Sequence, residues 1–260
     1  MPPSFTFIGL GLHDEKGLTL EGLEEAKKSD VTFAEFYTNL MPRLNLARLE
    51  SSIGKKIRVL DRTQLEEHAG KELISAARDK RVAMLVPGDP MIATTHVSLR
   101  LELAREGIKS RIIHAASITS AICGATGLQS YKFGKSVTVP SDDPLPNSVL
   151  ETVSENRVRG LHTLLLLDVK PGQAKQLSIA NALMKMIRAN PDLANRLMVG
   201  AARLGSSDER VRAATARDLT NEDFGAPPHS IVAVGRLHFM EAEALKVLCG
   251  APESDLRENC

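Results

Sequence analysis

Asp89 stands between two prolines in VPGDPMIATTH, directly after the apolar run RVAML. Pro87 and Pro90 fix two backbone φ angles, and Gly88 removes a side chain so that something else can pack against the main chain. A carboxylate in so stiff a frame suits two kinds of work. It can cap a helix starting near Pro90, or it can meet a polar group of a ligand, and the sequence leaves both open. Three further stretches carry comparable potential. In IGLGL, Gly9 and Gly11 let backbone amides approach a ligand closely, or they simply turn the chain after a strand. The third glycine of a dinucleotide fingerprint is missing, because Asp14 occupies its place. In AASIT, Ser117 either caps a helix or opens the amides of a helix start to a polar ligand. In GAPPHS two prolines aim His229 at a strand start, where an isolated histidine ordinarily serves packing or hydrogen bonding.

Other chemistries find no support in the residue pattern. The seven histidines show neither H-E-x-x-H nor H-x-H spacing, no G-x-S-x-G elbow occurs, and HDE at 13–15 reads as a solvated loop. Aromatic residues make up 3% of the chain and tryptophan is absent, which disfavours base-stacking platforms.

The elements that must position these residues follow from short apolar runs ending at turn residues. TFIGL (6–10), DVTFAEF (30–36), RVAMLVP (81–87) and SRIIHA (110–115) read as strands, and the helical segments between them predict a largely parallel, helix-covered sheet. LEGLEEAKKS (20–29) has Thr19 as its N-cap, and VSLRLELAREG (97–107) ends on Gly107 as its C-cap. Beyond residue 116 the rhythm changes. SVTVP (136–140), HTLLLLDV (162–169), RLMVGAARLG (196–205) and HSIVAVG (229–235) read as strands, and helices are expected at 117–128, 147–158, 174–190 and 240–249. SDDPLPNS (141–148) reads as a turn. The expected fold is therefore α/β with two α/β domains, residues 1–113 and 114–260, and ligand space between them.

Composition bounds the rest. The 260 residues are 43% hydrophobic and 25% charged, the balance of a folded soluble protein. Lys plus Arg number 33 against 32 Asp plus Glu, so the broad basic field of a general nucleic-acid binder is missing, although a local basic patch remains compatible. Cys123, Cys249 and Cys260 are dispersed and odd in number, which argues against a disulfide framework or a thiolate metal site and for a reducing cytoplasm. The N-terminal MPPSFTFIGLGL has no basic segment before its apolar stretch and reads as neither a signal peptide nor a membrane span.

Taken together, FIGLGLHDEKGLTLEGLEEAKKSD, AEFYT, VPGDPMIATTH, IIHAASITSAI, YKFGKSVT, GLHTLLLLDVK and PPHSIVAVGRLH resemble the diphthine synthases, from about residue 5 to GAPESDLR near the C-terminus. A bare GDP motif is shared with the wider tetrapyrrole-methylase superfamily, whereas AEFYT, PGDPMIATTH and PPHSIVAVGRLH are more selective. The resemblance implies a class III methyltransferase, ordinarily a homodimer, that uses S-adenosyl-L-methionine and no metal. Carried over position by position, the implied cofactor contacts are Leu10, Asp89, Ile92, Ser117, Ile118, Leu167, Leu204 and His229. The implied substrate is elongation factor 2 whose histidine bears a 3-amino-3-carboxypropyl group, with trimethylation of its amino nitrogen giving diphthine. A tetrapyrrole or ribosomal RNA methyltransferase of the same fold, or a binding module without turnover, are the competing readings. Near-neutral charge disfavours RNA, and the selective motifs disfavour a corrinoid.

Overall fold

The computed structural model describes residues 2–67, 70–170 and 176–257. The chain divides into two compact units, Met1–Ile118 and Thr119–Cys260. The sequence placed that division after residue 113. The segment 114–118 belongs with the first unit because its groups are tied there: the His114 ring and the Ala115 amide both meet the Asp89 carboxylate.

In the first unit, β1 (Ser4–Gly9), α1 (Leu20–Lys28), β2 (Val31–Glu35), α2 (Leu46–Ile53), β3 (Ile57–Leu60), α3 (Lys71–Asp79), β4 (Arg81–Val86), α4 (His96–Arg105) and β5 (Ser110–Ile113) alternate along the chain. The five strands form one parallel sheet in the order β3-β2-β4-β1-β5. Residue alternation sends Phe5, Phe7, Phe33 and Met84 into one core and Ile8, Ala34, Ala83 and Leu85 into the other. Burial on both faces explains why these strands read as continuous apolar runs. Thr19 caps α1 by accepting a hydrogen bond from the Gly22 amide, and Gly107 takes a left-handed φ just past α4. No helix starts near Pro90. The next helix opens at His96 with Thr95 before it, so the expected capping role of Asp89 is corrected.

The second unit contains α5 (Ile118–Thr126, whose first residue falls in the first unit), β6 (Val137–Val139), α6 (Asn147–Val158), β7 (Thr163–Leu167), α7 (Ile179–Ala189), β8 (Leu197–Ala202), β9 (Arg210–Thr215), α8 (Ala216–Leu219), β10 (His229–Ala233), α9 (Phe239–Cys249) and α10 (Glu253–Arg257). Its sheet runs β6-β7-β10-β8-β9, and only β6 and β7 are parallel. The strand expected over 196–205 stops at Ala202, because Arg203 turns into the left-handed region with φ 51°. The helix expected over 174–190 begins at Ile179, where Ser178 accepts from the Asn181 amide; Ala174 and Lys175 lie outside the described residues. Cys123 and Cys249 are free thiols, and Cys260 lies outside the described residues.

Candidate functional site

All five strands of the first sheet are parallel, so their carboxyl ends share one edge, the place where open α/β sheets receive ligands. Three loops meet there. The Leu10 amide donates to the Val86 carbonyl at 2.8 Å, and Gly11 and Gly88 exchange backbone hydrogen bonds of 3.2 and 2.7 Å. A side chain at Gly9 would strike the Ala115 methyl at 2.6 Å and the Gly88 carbonyl at 2.7 Å. IGLGL, PGDP and the AAS segment are thus packed backbone to backbone, and only glycine fits at their junction. Gly88 is required for a different reason: its φ is +69°, while a Cβ there would meet nothing within 4 Å.

Asp89 is buried and committed to its own unit. Its Oδ1 accepts from the Met91 amide at 3.0 Å, and its Oδ2 accepts from His114 Nδ1 at 2.7 Å and from the Ala115 amide at 3.4 Å. The carboxylate closes the PGDP turn and clamps it to the segment after β5. Leu10 is fully buried, Ser117 is buried at the entrance to α5, Ile118 is that helix's first residue, and Ile92 is exposed to 39%. These five residues of the expected set therefore lie beyond the carboxyl edge of one sheet.

In the second unit, His229 opens β10 opposite Ala202, and Ser230 pairs with Leu166 beside Leu167. The Arg203 amide donates to the Pro228 carbonyl at 2.9 Å, which draws Leu204 toward the His229 strand start. Leu167, Leu204 and His229 thereby gather at one end of the second sheet. Neither ring nitrogen of His229 has a hydrogen-bond partner, although both are buried. Burial, reinforced by the Arg203 charge, pushes the His229 pKa below its ordinary value, against an opposing contribution from the Gly225 and Ala226 backbone. Burial thus favours the neutral imidazole, which has one acceptor and one donor nitrogen.

The comparisons with known proteins agree on one family. A family model described as Tetrapyrrole (Corrin/Porphyrin) Methylases matches residues 4–220. The diphthine synthase of Methanosarcina mazei is 42% identical over 267 residues, covering 98% of this chain and 98% of that protein. The diphthine synthase of Methanocella arvoryzae is 43% identical over 253 residues, covering 94% and 98%. A crystal structure of diphthine synthase aligns with a TM-score of 0.91 at 40% identity, covering 97% of this chain and 98% of that one. The chain belongs to the diphthine synthase family. It is therefore a methyltransferase of the tetrapyrrole-methylase type.

Three supports of the loops in this diphthine synthase escape motif reading, two in the first unit and one in the second. Glu35, at the end of β2 in AEFYT, is fully buried and accepts from the Tyr37 amide at 2.9 Å, the Thr38 amide at 3.1 Å and the Thr38 hydroxyl. Burial raises its pKa, with the Thr38 and Tyr37 donors and His96 acting in the other direction. His96 donates from Nδ1 to the Pro90 carbonyl at 2.9 Å, while its Nε2 lies 4.0 Å from Glu35 Oε1 without a hydrogen bond. Thr94 donates to the same carbonyl, so the PGDP loop is pinned from below by two side chains. The third support is Arg203 of the second unit. Its guanidinium donates to the carbonyls of Asp208, Phe224 and Ala226 and to the Asp208 carboxylate, fixing the loops on either side of His229. Nothing in the spacing of these residues distinguishes them from ordinary surface and core positions. AEFYT, singled out as selective, held the one available clue.

Among the described residues no group of three His, Cys, Asp or Glu side chains is placed to hold a metal ion. None of the described helices is long and apolar enough to cross a membrane.

Proposed function

We propose that this methyltransferase moves methyl groups from S-adenosyl-L-methionine to the amino nitrogen of a 3-amino-3-carboxypropyl-modified histidine on elongation factor 2, three times over, giving diphthine. The observation that carries the reading is the junction at Gly9, where three loops of otherwise weak meaning are locked together at the carboxyl edge of a parallel sheet. The residues suit the donor. Ile92 offers exposed apolar surface, a Cβ at Gly88 would meet nothing within 4 Å, and the buried His229 nitrogens are fitted to a polar group. The proposed contacts are Leu10, Asp89, Ile92, Ser117 and Ile118 from the first unit and Leu167, Leu204 and His229 from the second.

When bound, S-adenosyl-L-methionine supplies an electrophilic methyl group on a sulfonium. What the chain contributes is alignment. Glycine-tight loops, a clamped carboxylate and a pinned Pro90 carbonyl hold their positions before the reactants arrive, and near-attack positioning is worth about 7–11 kcal/mol at its favourable limit. Asp89 and Glu35 are both occupied by internal donors, so neither is assigned as general base. The attacking amine gives its proton to solvent or to the substrate's own groups.

The protein is proposed to act as a homodimer. Met240, Val247 and Leu248 share one face of α9 and are each more than half exposed, which provides apolar surface for association. Sedimentation at micromolar concentration tests this, and a monomer would refute it. For the reaction itself, the chain is incubated with methyl-labelled S-adenosyl-L-methionine and elongation factor 2 carrying the extended histidine. Mass analysis should find three added methyl groups on that residue; none would sink the assignment, and fewer would sink the trimethylation.

A further inference from the structure

Toward the end of the second sheet away from Leu167 and His229, Arg157 and Arg196 have no ion-pair partner among the described residues. The last turn of α6 brings Arg157 beside Arg196, the residue that leads into β8, and both stand at the rim of a shallow dimple lined by Val153, Leu161, Leu197, Met198 and Val234. Ala233 pairs with Thr163 and Met198, whereas His229 pairs with Ala202. The length of β10 therefore separates this dimple from His229 by roughly 13 Å.

Neither Arg157 nor Arg196 makes an ion pair or hydrogen bond from its side chain to any described residue. Elsewhere in the unit Arg203, Arg210 and Arg212 each have a carboxylate within reach. Burial and the nearby Arg196 both lower the pKa of Arg157, the mark of a cation held near a like charge. Two guanidiniums side by side repel until an oxyanion sits between them, and their planar forks suit a carboxylate. The apolar wall beside them asks for an aliphatic group next to that carboxylate. Nucleic acid suits the place poorly, since no lining residue is aromatic and bases would have nothing to stack on.

We propose that Arg157 and Arg196 form a docking site for an acidic peptide segment of a partner protein, one carboxylate seated between the guanidiniums and a neighbouring apolar side chain laid against the rim of the dimple. The site stands at the opposite end of its sheet from the proposed cofactor contacts and does not rest on the methyl-transfer reading.

The test is fluorescence anisotropy with the full chain and a labelled, acetylated Glu-Leu-Asp-Glu-Leu peptide. Binding should weaken at least tenfold in the double variant Arg157→Gln/Arg196→Gln and fall with added salt. The amide counterpart, Gln-Leu-Asn-Gln-Leu, should fail to bind. The double variant should melt no lower than the parent, because a repulsion has been removed, and should bind S-adenosyl-L-methionine as the parent does. If the variant unfolds, Arg157→Gln alone, on the exposed end of α6, repeats the measurement. Undiminished peptide affinity in the variants, equal binding of the amide peptide, or tighter binding of an octauridylate than of the acidic peptide would each overturn the proposal.

Discussion

The two units solve one problem, holding loops at a sheet edge, by different means. In the first, every strand points the same way, so neighbouring loops leave the sheet together and lie against one another. Backbone contact between Gly9, Gly11, Gly88 and Ala115 then does most of the holding, helped by short-range carboxylate turns at Glu35 and Asp89. In the second, strand direction mostly alternates, so loops leave the sheet at both ends, and single ionised side chains tie them together. Arg203 collects carbonyls from 208, 224 and 226; Lys185 collects those of Pro140, Ser141 and Asp142 at 2.6–3.0 Å; and Glu241 accepts from the Gln129 and His238 amides, Lys132 and His162. The difference teaches that the first edge is vulnerable to volume and the second to charge.

The largest effect is expected at Glu241, which is fully buried. Glu241→Ala strands Lys132 and His162 and should cost about 3–5 kcal/mol, read as a fall in Tm with the first unit's secondary structure retained until melting. Burial alone would raise the Glu241 pKa, but its donors bring it down to about 2. The sign follows: a depressed carboxylate contributes fully above its ordinary value of 4.5, and that contribution is lost as pH falls through about 2. Acid titration of the parent should show this loss and the variant should lack it; parallel acid profiles would remove charge from the account of the second unit.

Arg203→Ala comes next. It leaves three carbonyls and the Asp208 carboxylate without their donor and should cost about 2–3 kcal/mol. S-Adenosyl-L-methionine affinity should fall with it, as measured by calorimetry, because Leu204 and His229 lose their common brace. Retained affinity would mean that the backbone bond from Arg203 to Pro228 is brace enough.

Glycine substitutions sharpen the other side. Gly9→Ala forces a methyl group into the Ala115 side chain and the Gly88 carbonyl, costing about 1–3 kcal/mol and abolishing measurable methyl transfer. Gly88→Ala meets no atom and should cost only about 1–2 kcal/mol through its positive φ. Equal losses in the two variants would show that torsion, not packing, governs this edge. Asp89→Ala takes the acceptor from the Met91 and Ala115 amides and should cost about 1–2 kcal/mol. It should weaken S-adenosyl-L-methionine binding about tenfold, near 1.4 kcal/mol, with helical content by circular dichroism unchanged, since α4 starts beyond its reach. Unchanged affinity would remove Asp89 from the cofactor contacts.

Most of the fold was legible because buried strands announce themselves. β1, β2, β4, β5, β6, β7, β8 and β10 coincide with the runs read as strands, and Asn147–Val158 forms the helix its residues predict. The two strands that escaped, β3 and β9, are edge strands. IRVL exposes Arg58 and Val59, and RVRAAT begins with three residues that are not fully buried, so each lacks the apolar signal of a strand covered on both faces. The parallel expectation for the first sheet held, whereas the residue pattern carried no direction for the second, because strand direction there depends on pairing partners far away in sequence.

The sequence by itself determined where chemistry is placed: glycines at 9, 11 and 88, an acid framed by prolines and a histidine after Pro227–Pro228 are all local decisions written in residue type and backbone freedom. Only the tertiary structure decided what those residues do. Asp89 read locally as a cap for the nearest helix, yet its partners are His114 and Ala115, some 25 residues on. Glu35 lies 4.0 Å from His96, and Arg203 meets the Phe224 carbonyl, on the same ground. Long-range pairing of charged and polar groups follows from which strands lie side by side, and no local pattern of residue types carries that information.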